Sequence, residues 1–242
     1  MKVLLAISSW PPSAENGDHD AARQTFLTRA KGLDYRFFMG DGTPVTENDA
    51  LIDEAWQRRP AHYNDKLAES VPSTYTPKAD EAMFPVPYDF KHLPFKVREI
   101  FRWAWARGYD YVFKVDTDTY VDVPRLLASG FAEFDYSGTP FFLDGWAYAS
   151  GCAGYWISRA AFELLLDAPI AIPWDDIWVG EVLQAHNIPL HVDYRYQVNS
   201  PHNFSAGPQP GNQAITSHFG FSPEPYDRND MFLAHRLRDV GT

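Results

Sequence analysis

The stretch FKVDTDTYVDV (113–123) closes the apolar run YVFKV (111–115) with Asp116, Asp118 and Asp122. A short run of β-branched and aromatic residues has the character of a strand buried on both faces. Parallel α/β sheets bind ligands outside the carboxyl ends of their strands, so Asp116 and Asp118 fall at the rim of a crevice. Two carboxylates one residue apart can share a hard divalent cation, which would neutralise a diphosphate leaving group. The competing reading is a pair of acids that merely solvate a strand exit. A calcium loop fails in detail: counted from Asp116, Val121 and Leu127 stand where an EF-hand needs glycine and glutamate.

Working outward, HLPFKVREIFRWAWARGYD (92–110) puts Pro94 in a first helical turn, Val97, Ile100, Phe101 and Ala104 on one face, and Gly108 past the end. Further upstream, KVLLAI (2–7) reads as a strand, AARQTFLTRAKG (21–32) as a helix stopped by Gly32, and YRFFMGDG (35–42) as a second strand. That is a βαβ unit. Thr46 is the expected N-cap of a further helix, with Asp49 as capping-box partner and Pro60 as its stop. Residues 61–90 show no periodicity and read as irregular. Downstream come a loop or short helix at 123–130, a strand-like segment at 134–142, and a small-residue turn, strand and helix over 146–169. A helix then opens on Asp175 and Asp176, whose charges suit the positive end of a macrodipole. Residues 199–217, rich in Pro, Gly, Asn and Ser, are expected to be a mobile loop. The alternation predicts one α/β domain over 1–242, with a mostly parallel twisted sheet flanked by helices.

Composition limits the partners. The 242 residues are 45% hydrophobic and 16% aromatic, enough for a sizeable core, and carry a net charge of −11. That balance repels nucleic acid and anionic membrane. The one basic-aromatic stretch, Arg98, Arg102 and Arg107 with Trp103 and Trp105, is more simply an amphipathic helix. A DNA-modifying transferase is therefore disfavoured. The N-terminus MKVLLAISS is too short in apolar residues for a signal or a membrane span, and a single cysteine, Cys152, forms no internal disulfide. A cytoplasmic protein is expected.

FKVDTDTYVDV resembles the triple-acid strand end of glycosyltransferase family 31, the group of β1,3-galactosyltransferases, β1,3-N-acetylglucosaminyltransferases and fringe proteins. Three more segments agree in order. DFKHLPFKVREIFRWAWARGYDYVFK is similar to a family helix, with Asp89, Leu93 and Lys96 on matching positions. YASGCAGYWISRAAFELL resembles its Tyr-Cys-Gly block, retaining Cys152, Gly154, Tyr155 and Ser158. PWDDIWVGEVLQAHNIPL resembles its Glu-Asp-Val segment. A weaker likeness of LLAISSW and AARQTF to the first strand and helix brings in Ser8 and Arg23, and these blocks span about residues 3–190.

The resemblance implies a GT-A type fold and an inverting, metal-dependent transferase that takes a UDP-sugar donor and a glycan or glycoconjugate acceptor. Residues 1–122 would form the nucleotide-sugar half and 123–242 the acceptor half. Asp116, Asp118 and His218 would hold manganese or magnesium, and Ser8, Arg23, Asp89, Lys96, Asp116, Thr117 and Asp118 would meet the donor. Asp176 would be the base, a task for which an ordinary carboxylate of pKa about 4 suffices. Each assignment has a plainer alternative: helix-end charge for Asp176, a structural role for His218, solvated surface for Arg23, Asp89 and Lys96. Thr117 departs from the family by replacing the middle acid. A catalytically silent nucleotide-sugar or glycan-binding module of the same fold is the competing function.

Overall fold

Leu4, Leu5, Ala6 and Ile7 are wholly buried, and they belong to β1 (Val3–Ser8), an interior strand of a seven-stranded sheet. Successive side chains on a strand point to opposite faces, so Leu4 and Ala6 join one core while Leu5 and Ile7 join the other. Burial on both faces is why β1 is a continuous apolar run. The computed structural model describes residues 1–59, 70–197, 214–219 and 227–240.

Two short helices, α1 (Pro11–Glu15) and α2 (Asp18–Gln24), lead to β2 (Asp34–Gly40), which lies parallel to β1. The βαβ unit is present, but its helix breaks early. The Thr25 hydroxyl bonds back to the Ala21 carbonyl at 2.7 Å, a side-chain competitor of helical pairing, and the chain tightens into a 3-10 turn over Phe26–Arg29. Next, α3 (Asp49–Gln57) begins after Asn48 at φ +54°, so Thr46 is not its cap. The Asn48 amide donates instead to the Ile170 carbonyl at 2.9 Å, a tertiary bond that local capping rules do not register. The expected stop at Pro60 lies outside the described residues. Within the stretch read as irregular, β3 (Glu81–Phe84) pairs parallel with β2; four residues are too few to show a period. The helix α4 (Leu93–Ala106) has Pro94 in its first turn and Gly108 at φ +70° after it, as expected.

The central strand β4 (Tyr111–Asp116) runs parallel to β1 with Asp116 opposite Ser8. After it come β5 (Thr119–Val121), α5 (Val123–Leu127), β6 (Tyr136–Gly138), β7 (Pro140–Leu143), β8 (Trp146–Ala149), β9 (Tyr155–Ser158) and α6 (Arg159–Glu163). The strand expected over 134–142 is thus two strands that enter different sheets. The chain continues with α7 (Asp175–Ala185), β10 (His191–Val192), β11 (Tyr196–Gln197), β12 (Thr216–His218) and α8 (Arg228–Val240). The loop expected over 199–217 falls outside the described residues as far as 213, and its last two residues belong to β12.

The main sheet has the order β10-β6-β9-β4-β1-β2-β3, in which β9 alone is antiparallel to its neighbours. Val97, Ile100 and Phe101 of α4, Phe162 of α6 and Trp178 of α7 cover one face; Ala22 of α2, Leu126 of α5 and Met231 of α8 cover the other. The chain is therefore an α/β fold with a mostly parallel sheet flanked by helices, as its sequence predicts. No helix among the described residues is long and apolar enough to cross a membrane.

A hairpin of β7 and β8 lies against α7, and Gly180 permits the approach: a Cβ there would stand 2.5 Å from the Tyr148 Cβ. Gly180→Val is expected to cost about 1–3 kcal/mol by overpacking, read as a lower urea midpoint at unchanged slope. An unchanged midpoint would mean that the hairpin yields freely.

Candidate active site

The carboxyl ends of β1 and β4 lie side by side, and Thr117 fastens them. Its amide and its hydroxyl both donate to the Ser8 carbonyl, at 3.1 and 2.8 Å. Thr117 is thus a buried anchor between the two strand ends. Asp118 follows and leads into β5, which pairs antiparallel with β12 so that Thr119 faces His218. That pairing sets His218 Nδ1 3.2 Å from Asp118 Oδ1 and 3.1 Å from Thr119 Oγ1. Asp122, the third acid of the opening stretch, takes no part: it caps α5 by accepting from the Arg125 amide at 3.3 Å.

A cavity of about 450 Å³ opens at these strand ends. Ser8, Asp89, Lys96, Asp116, Thr117 and Asp118 line it; Arg23, Asp176 and His218 do not. Lys96 is 3% exposed, and its Nζ donates to the Ser9 carbonyl at 2.7 Å. Among the described residues no carboxylate lies within ion-pair distance of it. Burial accordingly pulls its pKa down to about 8. A buried ammonium without a counterion is costly, and an anion in the cavity would relieve that cost.

Asp89 is already well supplied with donors. It accepts from Ser70 Oγ at 2.7 Å, from the His92 amide at 3.1 Å and from His92 Nδ1 at 2.7 Å, and so caps the turn that precedes α4. Arg23 is spent on a structural cluster. Its guanidinium bonds Asp20, Asp80 and Glu81 at 2.6–2.8 Å. Burial alone would raise the Glu81 carboxyl, but bonds from His19, the Lys78 amide, Arg23 and Tyr75 hold it at about 2. A carboxyl depressed in the fold contributes stability above its unfolded pKa of about 4.3. That contribution is lost as pH falls from there through about 2. Glu81→Gln is therefore expected to lower the urea midpoint at pH 7 and to flatten its fall between pH 5 and pH 2 on the order of several-fold. An acid limb unchanged from the wild type would remove Glu81 from the account.

The second half of the site gathers around Lys114, which sequence reasoning passed over. Its side chain is 2% exposed, and its Nζ lies 2.8 Å from Asp116 Oδ1, 2.9 Å from Asp175 Oδ2 and 3.3 Å from the Gly151 carbonyl. Burial alone would strip its proton, yet the Asp116 and Asp175 carboxylates hold its pKa well above the ordinary lysine value. The available signal was a lysine inside a strand otherwise buried on both faces, since such a charge must find partners within the protein. Gly151 completes the link, because its amide donates to Asp176 Oδ2 at 3.0 Å. A Cβ at Gly151 would lie 3.2 Å from the Asp176 Cβ and 3.3 Å from Lys114 Nζ, so the small-residue turn 150–154 is needed for contact. Burial first, and the neighbouring Asp175 second, push the Asp176 pKa up to about 7. This differs from the ordinary carboxylate expected, and the cause is the paired acids at a buried helix start.

For a divalent cation, the donors that meet are the Asp118 carboxylate and the His218 imidazole, with Asp116 on the same rim but paired to Lys114. No trio of acidic, histidine or cysteine side chains converges among the described residues. A hard cation that takes its remaining ligands from phosphate and water needs only one or two protein carboxylates. The donor set fits that kind of ion.

No family model and no curated protein matches the chain. Among solved structures, it is similar to the apo form of the glycosyltransferase GlyE of Streptococcus pneumoniae TIGR4, at 10% identity and a TM-score of 0.48 over 99% of this chain. The chain spans 63% of that enzyme's length. The galactosyltransferase LgtC, solved with donor and acceptor sugar analogues, aligns at 12% identity and a TM-score of 0.44 over 100% of this chain and 95% of its own. A glycosyltransferase involved in glycosylating the major capsid of PBCV-1 aligns at 10% identity and a TM-score of 0.43, over 99% and 100% of the two chains. At such identities and scores these likenesses carry no argument about activity.

Proposed function

We propose that this chain is a GT-A type, metal-dependent inverting glycosyltransferase. It moves a hexose or N-acetylhexosamine from a UDP-sugar to a hydroxyl of a glycan or glycoconjugate acceptor. The family resemblance of its sequence suggests a β1,3 linkage. The observation that carries the reading is Lys96, a buried cation with no carboxylate within ion-pair distance among the described residues, set in a cavity beside Asp116 and Asp118. An acid-lined cavity that also holds a buried ammonium out of ion-pair contact suits a ligand that brings its own anion and shares a cation with the acids.

In this reading Ser8, Asp89, Lys96, Asp116 and Thr117 form the donor wall. Asp118 and His218, with Asp116 beside them, hold the divalent ion. When bound, that ion neutralises charge on the leaving diphosphate. Lys96 meets phosphate oxygen directly. Asp176 stands across the Gly151 turn from Asp116 and takes the proton from the attacking hydroxyl, a role helped by a pKa near working pH. Its partner Asp175 is engaged with Lys114, which leaves Asp176 as the carboxylate for the acceptor side.

Asp176 must be ionised to act as a base and Lys96 protonated to meet phosphate, so kcat/KM is expected to rise with pH through about 7 and to fall again above about 8. A profile flat from pH 5.5 to 8.5 would remove it as the base. A panel of nucleotide sugars with manganese, magnesium or EDTA, read as UDP release, tests the function itself. Release that requires both a UDP-sugar and the metal is expected. Binding of UDP without turnover on any donor and acceptor would favour the silent module.

A further inference from the structure

Ser9, just past β1, belongs to a buried line of polar groups outside the machinery above. Its Oγ lies 2.7 Å from His19 Nε2, and His19 Nδ1 lies 2.8 Å from Glu81 Oε1. All three residues are 5% exposed or less, and the imidazole stacks on Phe37 with ring centres 4.0 Å apart. A serine, histidine and carboxylate so arranged also describe an activated nucleophile. Such a nucleophile needs N–H donors for the oxyanion. The Ser9 amide is spent on the Phe38 carbonyl at 2.9 Å, and Pro11 and Pro12, which open the next helix, have no N–H to offer. These groups therefore offer no pair of oxyanion donors at Ser9.

Its bond directions follow from what Glu81 already receives. Oε1 accepts from Arg23 Nη2 at 2.7 Å, while Oε2 accepts from Tyr75 Oη at 2.7 Å and from the Lys78 amide at 2.8 Å. A carboxylate with so many donors is ionised and only accepts, so His19 Nδ1 carries a hydrogen and donates to it. Burial disfavours the imidazolium more than the Glu81 carboxylate favours it, with Arg23 adding to burial, so the His19 pKa is lowered and Nε2 is left as an acceptor. Ser9 then gives its one hydroxyl hydrogen to His19. Ser9 lines the cavity, and while a serine hydroxyl ordinarily turns to suit its ligand, this one would meet a ligand there with its lone pairs only.

We infer that His19 and Glu81 lock Ser9 as an acceptor, making it a specificity residue for a ligand O–H or N–H and hostile to a phosphate oxygen at that point of the wall. The inference rests on the nucleotide reading of the cavity and deepens it. Lys96 bonds the Ser9 carbonyl, so one residue marks the divide between the ligand's anionic end and its hydrogen-donating end. For a nucleoside diphosphate the donating group is a ribose hydroxyl or the base N–H.

Two measurements test it. In wild-type protein labelled with 15N-histidine, with the His19 signal assigned by comparison with Ser9→Ala, the imidazole is expected as the Nδ1-protonated tautomer; a proton on Nε2 would overturn the lock. Calorimetric affinities for UDP, 2′-deoxy-UDP, 3′-deoxy-UDP and N3-methyl-UDP come second, on wild type and Ser9→Ala. One analogue is expected to bind wild type about tenfold more weakly than UDP, and that preference is expected to vanish in Ser9→Ala. The analogue concerned tells ribose from base. Preferences identical in the two proteins would overturn the inference while sparing the nucleotide reading. Failure of wild type to bind UDP at all would overturn both.

Discussion

Asp176→Asn is expected to slow sugar transfer about a hundred- to ten-thousand-fold, the range by which a positioned general base accelerates reactions, with UDP affinity unchanged. Asparagine keeps the shape of the side chain, and its carbonyl can still accept from the Gly151 amide, so the turn 150–154 should hold. What disappears is the capacity to take a proton. Because Asp176 lies outside the cavity that Lys96 and Asp118 line, the loss should fall on kcat and not on nucleotide binding. Equal losses in turnover and in UDP affinity would show that Asp176 shapes the donor side instead.

The second large effect concerns stability. Lys114→Met removes the cation that stands between Asp116 at the end of β4 and Asp175 at the buried start of α7, leaving these two acids facing each other beside Asp176. Breaking a buried ion pair from one side typically costs about 3–5 kcal/mol, so the urea midpoint should fall sharply at pH 7. The sign of a rescue is also fixed: adding Asp175→Asn removes one of the stranded charges and should recover part of the loss. A double variant less stable than Lys114→Met would contradict the arrangement. Activity of the single variant should fall as well, because Lys114 joins the donor-side acid to the loop that holds Asp176.

Much of the fold is legible in the sequence, and the physical reason is burial geometry. The strands β1 and β4 are apolar without alternation because both faces are covered, and α4 carries its stripe, its proline and its glycine where a helix needs them. The short edge strand β3 is not legible, since EAMF (81–84) has no period and its glutamate faces inward to Arg23 and His19. The site divides in the same way. Asp116 and Asp118 are marked by their position at the end of a buried strand and Lys96 only by the family resemblance, and the three line one cavity. The roles of Arg23 and Asp89 are not marked, because their partners Asp80, Glu81 and Ser70 come from a stretch without local pattern. Lys114 left a sign, a charge within an apolar strand, but its partner Asp175 becomes visible only when α7 is placed against β4. The line from Ser9 through His19 to Glu81 draws on three separate segments, so no spacing rule reveals it.

The central claim is that the cavity at the ends of β1 and β4 takes a nucleoside diphosphate together with a divalent cation. Titration of UDP into the protein in a calorimeter, with manganese and with EDTA, on wild type and on Asp118→Asn, tests it most directly. The account predicts saturable UDP binding to wild type that manganese strengthens, and loss of that strengthening in Asp118→Asn. No UDP binding to wild type in manganese, or binding equally strong in EDTA, would contradict it.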